Sequence, residues 1–450
     1  MRPGPRRQVP LARLCRSALA LLIAVAACDR SPSSLDPAGR SDPLDLSRVV
    51  AVGDGFAAGA MDDALYQTGQ AASVPALFVF RAAGNPDFVQ PLIAGPGFGI
   101  LDIEGGRLAL VEPFPVVALE RLPRGGPPLE ADHPVPYGNL GVPFALIEEI
   151  RTARGSATSR LGNPFFDVVL RGRGTAAAQV AELDATLVLL WAGTADVLLF
   201  AAQGGDPALA PGLPTSVGTF RLAYEALVDD LLATTGDVVL FNLPELALSP
   251  LLSSVPPHVI DPVTGETVTI RVFEEVVDPV TGDTLVVAVD RPMPLIGPNG
   301  PLQPADRVTS FALPLLKAGI GIPVAAGGTG EPLPDRMVLN AAEFEEVTAA
   351  VAGYNAAIAE VAIARNLALV DVADFVVELA QVGVVSDGIR LTAEWPEGQA
   401  FSLDGARFTA KANGVLVNRL IDALNARYGS RLLHIRTADL PGIPLFQVEG

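Results

Sequence analysis

From residue 49 onward, unbroken apolar runs alternate with apolar stripes of helical period. Val49 to Val52 is a run of four apolar residues closed by Gly53-Asp54-Gly55. This predicts a strand buried on both faces and ended by a tight turn, a common mount for functional groups in α/β proteins. Ala185–Gly193 (ATLVLLWAG) and Asp237–Pro244 (DVVLFNLP) read the same way. Between them, Phe220, Tyr224, Leu227, Val228, Leu231 and Leu232 share one helical face, with Gly236 as the expected stop. A second helix is predicted from Ala341 to Arg365, with Phe344, Val347, Val351, Tyr354, Ile358 and Val361 as its buried stripe. It leads into a strand at Leu367–Val372, and a last helix at Lys411–Tyr428 stops at Gly429. Strand and helix alternating in this way predict an α/β fold: a parallel sheet flanked by helices.

One segment breaks the alternation. DPVTGETVTI at Asp261 recurs as DPVTGDTLVV at Asp278. Each Asp-Pro-Val-Thr-Gly is a turn between β-branched runs, so an inserted antiparallel β meander is expected near 258–290.

Composition changes the picture mainly at the N-terminus. The first 27 residues hold Arg2, Arg6, Arg7, Arg13 and Arg16 and no acid, followed by an apolar stretch that ends at Cys28. That layout is a secretory leader, and Val25-Ala26-Ala27-Cys28 resembles the bacterial lipoprotein cleavage box. The resemblance implies removal of residues 1–27, lipidation of Cys28 and a lipid anchor in the cell envelope. Residues 28–46, rich in Ser, Pro, Asp and Gly, then form a flexible tether. Asp29 retains lipoproteins at the inner membrane in some bacteria but not in all, so either membrane stays open. No later stretch reads as long and apolar enough to span a bilayer. With Cys15 lost and Cys28 lipidated, no thiol remains for a disulfide or a metal. The chain carries 50 acidic against 31 basic residues, a balance that argues against nucleic acid as a partner.

The turn at Gly53-Asp54-Gly55 is one of four short blocks. NLGVPFA lies at Asn139–Ala145, WAGTADVL at Trp191–Leu198 and FSLDGARFT at Phe401–Thr409. In order and spacing they resemble the blocks of the SGNH/GDSL hydrolases, in particular bacterial envelope lipoproteins of that family. GAMDDALYQTGQAASVPAL after the first block and the segment from Ser402 to Gly429 add to the likeness. The resemblance implies a flavodoxin-like three-layer α/β domain over residues 47–440 and ester hydrolysis as the ancestral activity. In that family a serine in the first block attacks the carbonyl and a histidine in the last block takes its proton. An aspartate orients the histidine, and the second and third blocks supply oxyanion donors.

Matched position by position, this chain lacks the chemistry. Gly55 stands at the nucleophile position and Arg407, which cannot act as a base near neutral pH, at the base position. Phe144 and Ala195 replace the glycine and asparagine of the oxyanion site, while Asp404 is the retained triad residue. Asp54 and Asp196 are structural neighbours whose place in the family is to hold loop amides. This favours that role over a metal site built from Asp54, Asp196 and Asp404, so neither metal nor cofactor is expected. The loss of his-type base and nucleophile together removes the mechanism. His133, His258 and His434 lie outside the motifs, and Ser402, Thr194 and Thr409 have no neighbouring base in the sequence. GPGFG (95–99) and GGTG (327–330) lack the context of a phosphate loop. The expected function is a non-catalytic binding or scaffolding protein with an acyl, glycan or protein ligand in the former cleft. The alternative is an ester hydrolase with relocated catalytic groups. Last, Arg407 is expected to pair with Asp404 in the space of the lost histidine, both carboxylate oxygens held by its fork, with Phe144 narrowing the cleft.

Overall fold

A computed structural model describes residues 44–112 and 117–443. The leader, Cys28 and most of the tether lie outside the described residues. Five segments form the central sheet: β1 (Val49–Gly53), β2 (Asn139–Gly141), β3 (Leu187–Trp191), β4 (Val238–Phe241) and β5 (Ala368–Val370). All pairings are parallel, in the spatial order β5-β4-β3-β1-β2. Every residue of β1, β3 and β4 is buried, as expected of strands covered on both faces. The order matches doubly wound sheets whose functional crevice lies between the first and third strands, beyond their C-terminal ends.

Seven helices position the site. They are α1 (Gly55–Ala58), α2 (Ile147–Thr152), α3 (Ala195–Ala202), α4 (Val217–Leu232), α5 (Ala341–Ala364), α6 (Val372–Gln381) and α7 (Ala410–Tyr428). The α4 helix packs against α2 and α5, while α7 packs against β5 and the short helix Val74–Phe78. Two ends differ from expectation. The α4 helix stops at Leu232 with Ala233 as its C-cap, four residues before Gly236 was expected to end it. Phe344 is only partly buried at the start of α5, where Arg307 stacks over its ring.

The α5 helix also corrects the expectation that no later stretch could span a bilayer. By length and composition it could do so. Here it buries Val347, Val351, Tyr354, Ile358 and Val361 inside the α/β unit, so its apolar content serves the core.

The insertion between β4 and α5 is larger than a meander. It holds its own apolar cluster, including Val255, Leu295, Val308, Leu313 and Val338, and Trp395 packs against both this cluster and the main core. Its one long ladder is a hairpin of Thr269–Val277 with Thr284–Pro292. The preceding repeat contributes a bridge between Ile260 and Thr267. The two DPVTG turns have the same geometry. In each, the Asp carbonyl accepts from the Gly amide (Gly265 and Gly282, both 2.9 Å), and the Asp carboxylate accepts from the Val and Thr amides. A second hairpin, Gly105–Glu112 with Ala118–Pro123, has no counterpart in the sequence reading, because two register shifts break its alternation.

Candidate functional site

The C-terminal ends of β1 and β3 lie side by side, and Asp54 joins them. Its Oδ1 caps α1 by accepting from Phe56 N at 3.0 Å. Its Oδ2 accepts from Thr194 N at 2.8 Å and Ala195 N at 3.3 Å, where α3 begins. Asp196, one residue into α3, ties the next loops: Oδ2 accepts from Ile147 N at 2.8 Å and Oδ1 from Thr215 Oγ1 at 2.7 Å. Both carboxylates thus hold backbone, and each is fully buried. Burial pushes Asp54 up to about 6 against its three amide donors, and pushes Asp196 up to about 7.

Gly53 is required where β1 meets β3. A Cβ there would lie 1.8 Å from the Trp191 carbonyl oxygen, and φ is +155°. Gly55 differs. Its φ is ordinary, and a Cβ would meet Arg407 Nε at 3.3 Å and Nη2 at 3.6 Å. Position 55 therefore faces position 407, with the guanidinium in the space a longer side chain at 55 would enter. The residues next in sequence, Phe56 and Phe408, pack their rings on Trp191, with Phe241 stacked on Trp191 at 5.0 Å.

The loop carrying Asp404 and Arg407 is closed on itself. Ser402 N donates to the Arg407 carbonyl at 2.7 Å, Phe401 bridges Phe408, and Thr409 caps α7. Arg407 is 3% exposed and Asp404 0%, and Arg407 Nη1 donates to Asp404 Oδ2 at 3.1 Å. The pair forms, but not as a fork on both oxygens. Asp404 Oδ1 is already taken by the amides of Ala406 (2.9 Å) and Arg407 (2.8 Å), and Asp63 N shares Oδ2 at 3.0 Å. Burial alone would raise Asp404, yet the Arg407 charge and these amides outweigh it and hold the carboxyl below its usual range. Arg407 Nε has no hydrogen-bond partner among the described residues, which leaves a buried donor facing Gly55.

Phe144 takes a left-handed backbone, φ 55°, where glycine is the natural residue. Its ring centroid lies 5.6 Å from the Arg407 guanidinium carbon, so the second and fourth blocks also meet. Ala195 is buried and offers no side-chain donor.

A carboxylate cluster beside this loop escaped the sequence reading. Asp62 and Asp63 both take left-handed backbone (φ 51° and 54°) and dock onto residues 402–404. Asp62 N donates to Ser402 Oγ (3.2 Å), Asp62 Oδ1 accepts from Leu403 N (2.9 Å), and Tyr66 OH donates to Asp62 Oδ2 (2.6 Å). The unread hairpin delivers Arg121, whose Nη2 pairs with Asp63 Oδ2 at 2.6 Å. Burial raises Asp62, and raises Asp63 to about 6 despite the nearby Arg407 and Arg121. The available signal was two adjacent acids inside the apolar stretch GAMDDALY, since buried acids must find donors.

Among the described residues, none of the three histidines reaches the hydroxyls of Ser402, Thr194 or Thr409. His133 stacks on Tyr137, His258 contacts Thr267, and His434 contacts Asp422. Ser402 Oγ accepts from Asp62 N, Thr409 Oγ1 donates to the Gln399 carbonyl, and Thr194 Oγ1 has no partner among the described residues.

The raised carboxyls predict a pH dependence. Asp54, Asp63 and Asp196 keep their protons in the folded chain above the pH at which the unfolded chain, near 4, releases them. Their stabilisation is complete below about pH 4 and is lost as pH rises through 6 to 7. Asp404 acts oppositely: its share is present above about pH 4 and lost as pH falls through its lowered folded value. Urea unfolding between pH 5 and 7.5 should show stability falling by roughly 3–5 kcal/mol, with a shallower slope in Asp196→Asn. A flat profile would contradict these shifts.

No family model matches the chain, and searches of curated proteins and of solved structures return no match.

Proposed function

We propose that this chain is a non-catalytic binding or scaffolding protein of the bacterial cell envelope, derived from an SGNH/GDSL ester hydrolase and anchored by lipid on Cys28. The observation that carries the reading is the meeting of positions 55 and 407. The two substituted positions of a Ser-His pair are neighbours in space, 3.3 Å from an added Cβ to the guanidinium, though far apart in the chain. Their company supports it further. Asp404 sits on Arg407, Ala195 lies on the Asp54 carboxylate, and Phe144 has the backbone of a glycine. With Gly55, Arg407 and Asp404 buried, the centre of the former cleft is filled, so a ligand would rest beside it. A cavity of about 210 Å³ lined by Asp62, Tyr66, Arg107 and Ser402 offers such a place.

The purified chain should leave short-chain nitrophenyl esters uncleaved above the solvent rate, and Asp404→Ala should change nothing. Turnover that disappears in Asp404→Ala would instead establish a hydrolase with relocated groups. For the anchor, Cys28→Ala should move the protein from the membrane to the soluble fraction. Retention on the membrane would refute lipid attachment.

A further inference from the structure

We propose that the hairpin Thr269–Val277/Thr284–Pro292 is a homodimerisation arm, joining two copies of the chain edge to edge through strand 269–277. The hairpin is a two-stranded sheet of its own, and neither outer edge is paired among the described residues. It carries apolar side chains in water: Phe273 is 74% exposed, Val286 65% and Val277 61%. Such a patch on a free edge marks an association surface.

Backbone geometry selects the edge. At the turn, Asp278 N donates to the Asp283 carbonyl, and antiparallel bonding alternates from there. Even-numbered residues 270–276 therefore bond within the hairpin. Arg271, Phe273 and Glu275 turn their amides and carbonyls outward, free to bond a second strand. On the other strand, the outward positions end at Pro292, which has no N–H to offer.

Charge then selects the partner and the register. Antiparallel pairing of strand 269–277 with its own copy overlaps all nine residues when the two-fold axis passes through Phe273. Arg271 then lies opposite Glu275 of the second copy, twice by symmetry, and the two Phe273 rings meet at the axis on the same face. Ile270 falls opposite Val276 on the other face. Moving the axis to 271 or 275 would instead set Arg against Arg or Glu against Glu. Glu275 forms no ion pair within the described chain, whereas Arg271 already has Asp290 at 3.0 Å and can bridge both carboxylates. The surface thus fits a second copy of itself.

Sedimentation equilibrium on the Cys28→Ala chain, so that no acyl group adds association, should show the mass doubling as concentration rises. Glu275→Arg and Arg271→Glu should each be monomeric at concentrations where the parent is dimeric, with unchanged circular dichroism. Mixing those two variants should restore dimers, because each then meets its complement. Phe273→Asp should also be monomeric. A parent chain that stays monomeric at high micromolar concentration, a dimer that survives Glu275→Arg, or a mixture that fails to pair would overturn the proposal.

Discussion

Replacing Arg407 by alanine is expected to lower the unfolding free energy by about 3–5 kcal/mol, the cost of leaving one partner of a buried ion pair alone. Asp404 is wholly buried, and burial is the largest influence on it, acting to raise its pKa. The Arg407 charge is the first of the effects that oppose it. Without the guanidinium, three amide donors remain on the carboxylate, at Asp63, Ala406 and Arg407 itself, so the site is weakened but not stripped. The carboxyl should therefore titrate higher in the variant, moving its acid transition toward neutral pH. Asp404→Asn should also destabilise, and the double variant should cost less than the two single costs added together. Urea unfolding of the four proteins measures this. An Arg407→Ala cost below about 1 kcal/mol would mean the pair is incidental.

Gly53→Ala is expected to cost about 4 kcal/mol or more, enough to reduce soluble yield. The added methyl would sit 1.8 Å from the Trp191 carbonyl oxygen and 2.6 Å from its carbon. Those atoms belong to β3, in register with Gly53, and the same carbonyl accepts from Asp54 N at 3.0 Å. A backbone inside a parallel sheet cannot retreat without breaking the strand pairing that aligns both loops. Gly55→Ala is the matched control, expected within about 1 kcal/mol of the parent because φ is ordinary and its nearest neighbour is the Arg407 side chain. Equal, small effects at both glycines would refute the account of why β1 and β3 approach so closely.

The contrast between those glycines separates what local pattern carries from what it does not. Both belong to one GDG turn, and the sequence places that turn at the end of a buried strand because four apolar residues precede it. Which glycine is indispensable depends on Trp191, 138 residues away. The same holds for the strands and helices in general. Runs such as LVLLW and stripes such as Val347-Val351-Tyr354-Ile358 declare their elements, since side-chain period and burial are local properties of the chain. The DPVTG repeats likewise determine two matching turns, because their hydrogen bonds close within five residues. The inward pairing of Arg407 with Asp404 was also legible in the sequence, since the two lie three residues apart in one block. The tertiary structure decided that it forms through one nitrogen, the backbone amides having already taken the second oxygen. It also decided that Asp62 and Asp63, in left-handed backbone, dock on residues 402–404, and that an irregular hairpin supplies Arg121. The contacts of Asp62 and Asp63 with residues 402–404 and with Arg121 join segments about 60 to 340 residues apart. Their energy comes from desolvated charge meeting its donors at distances no local period encodes.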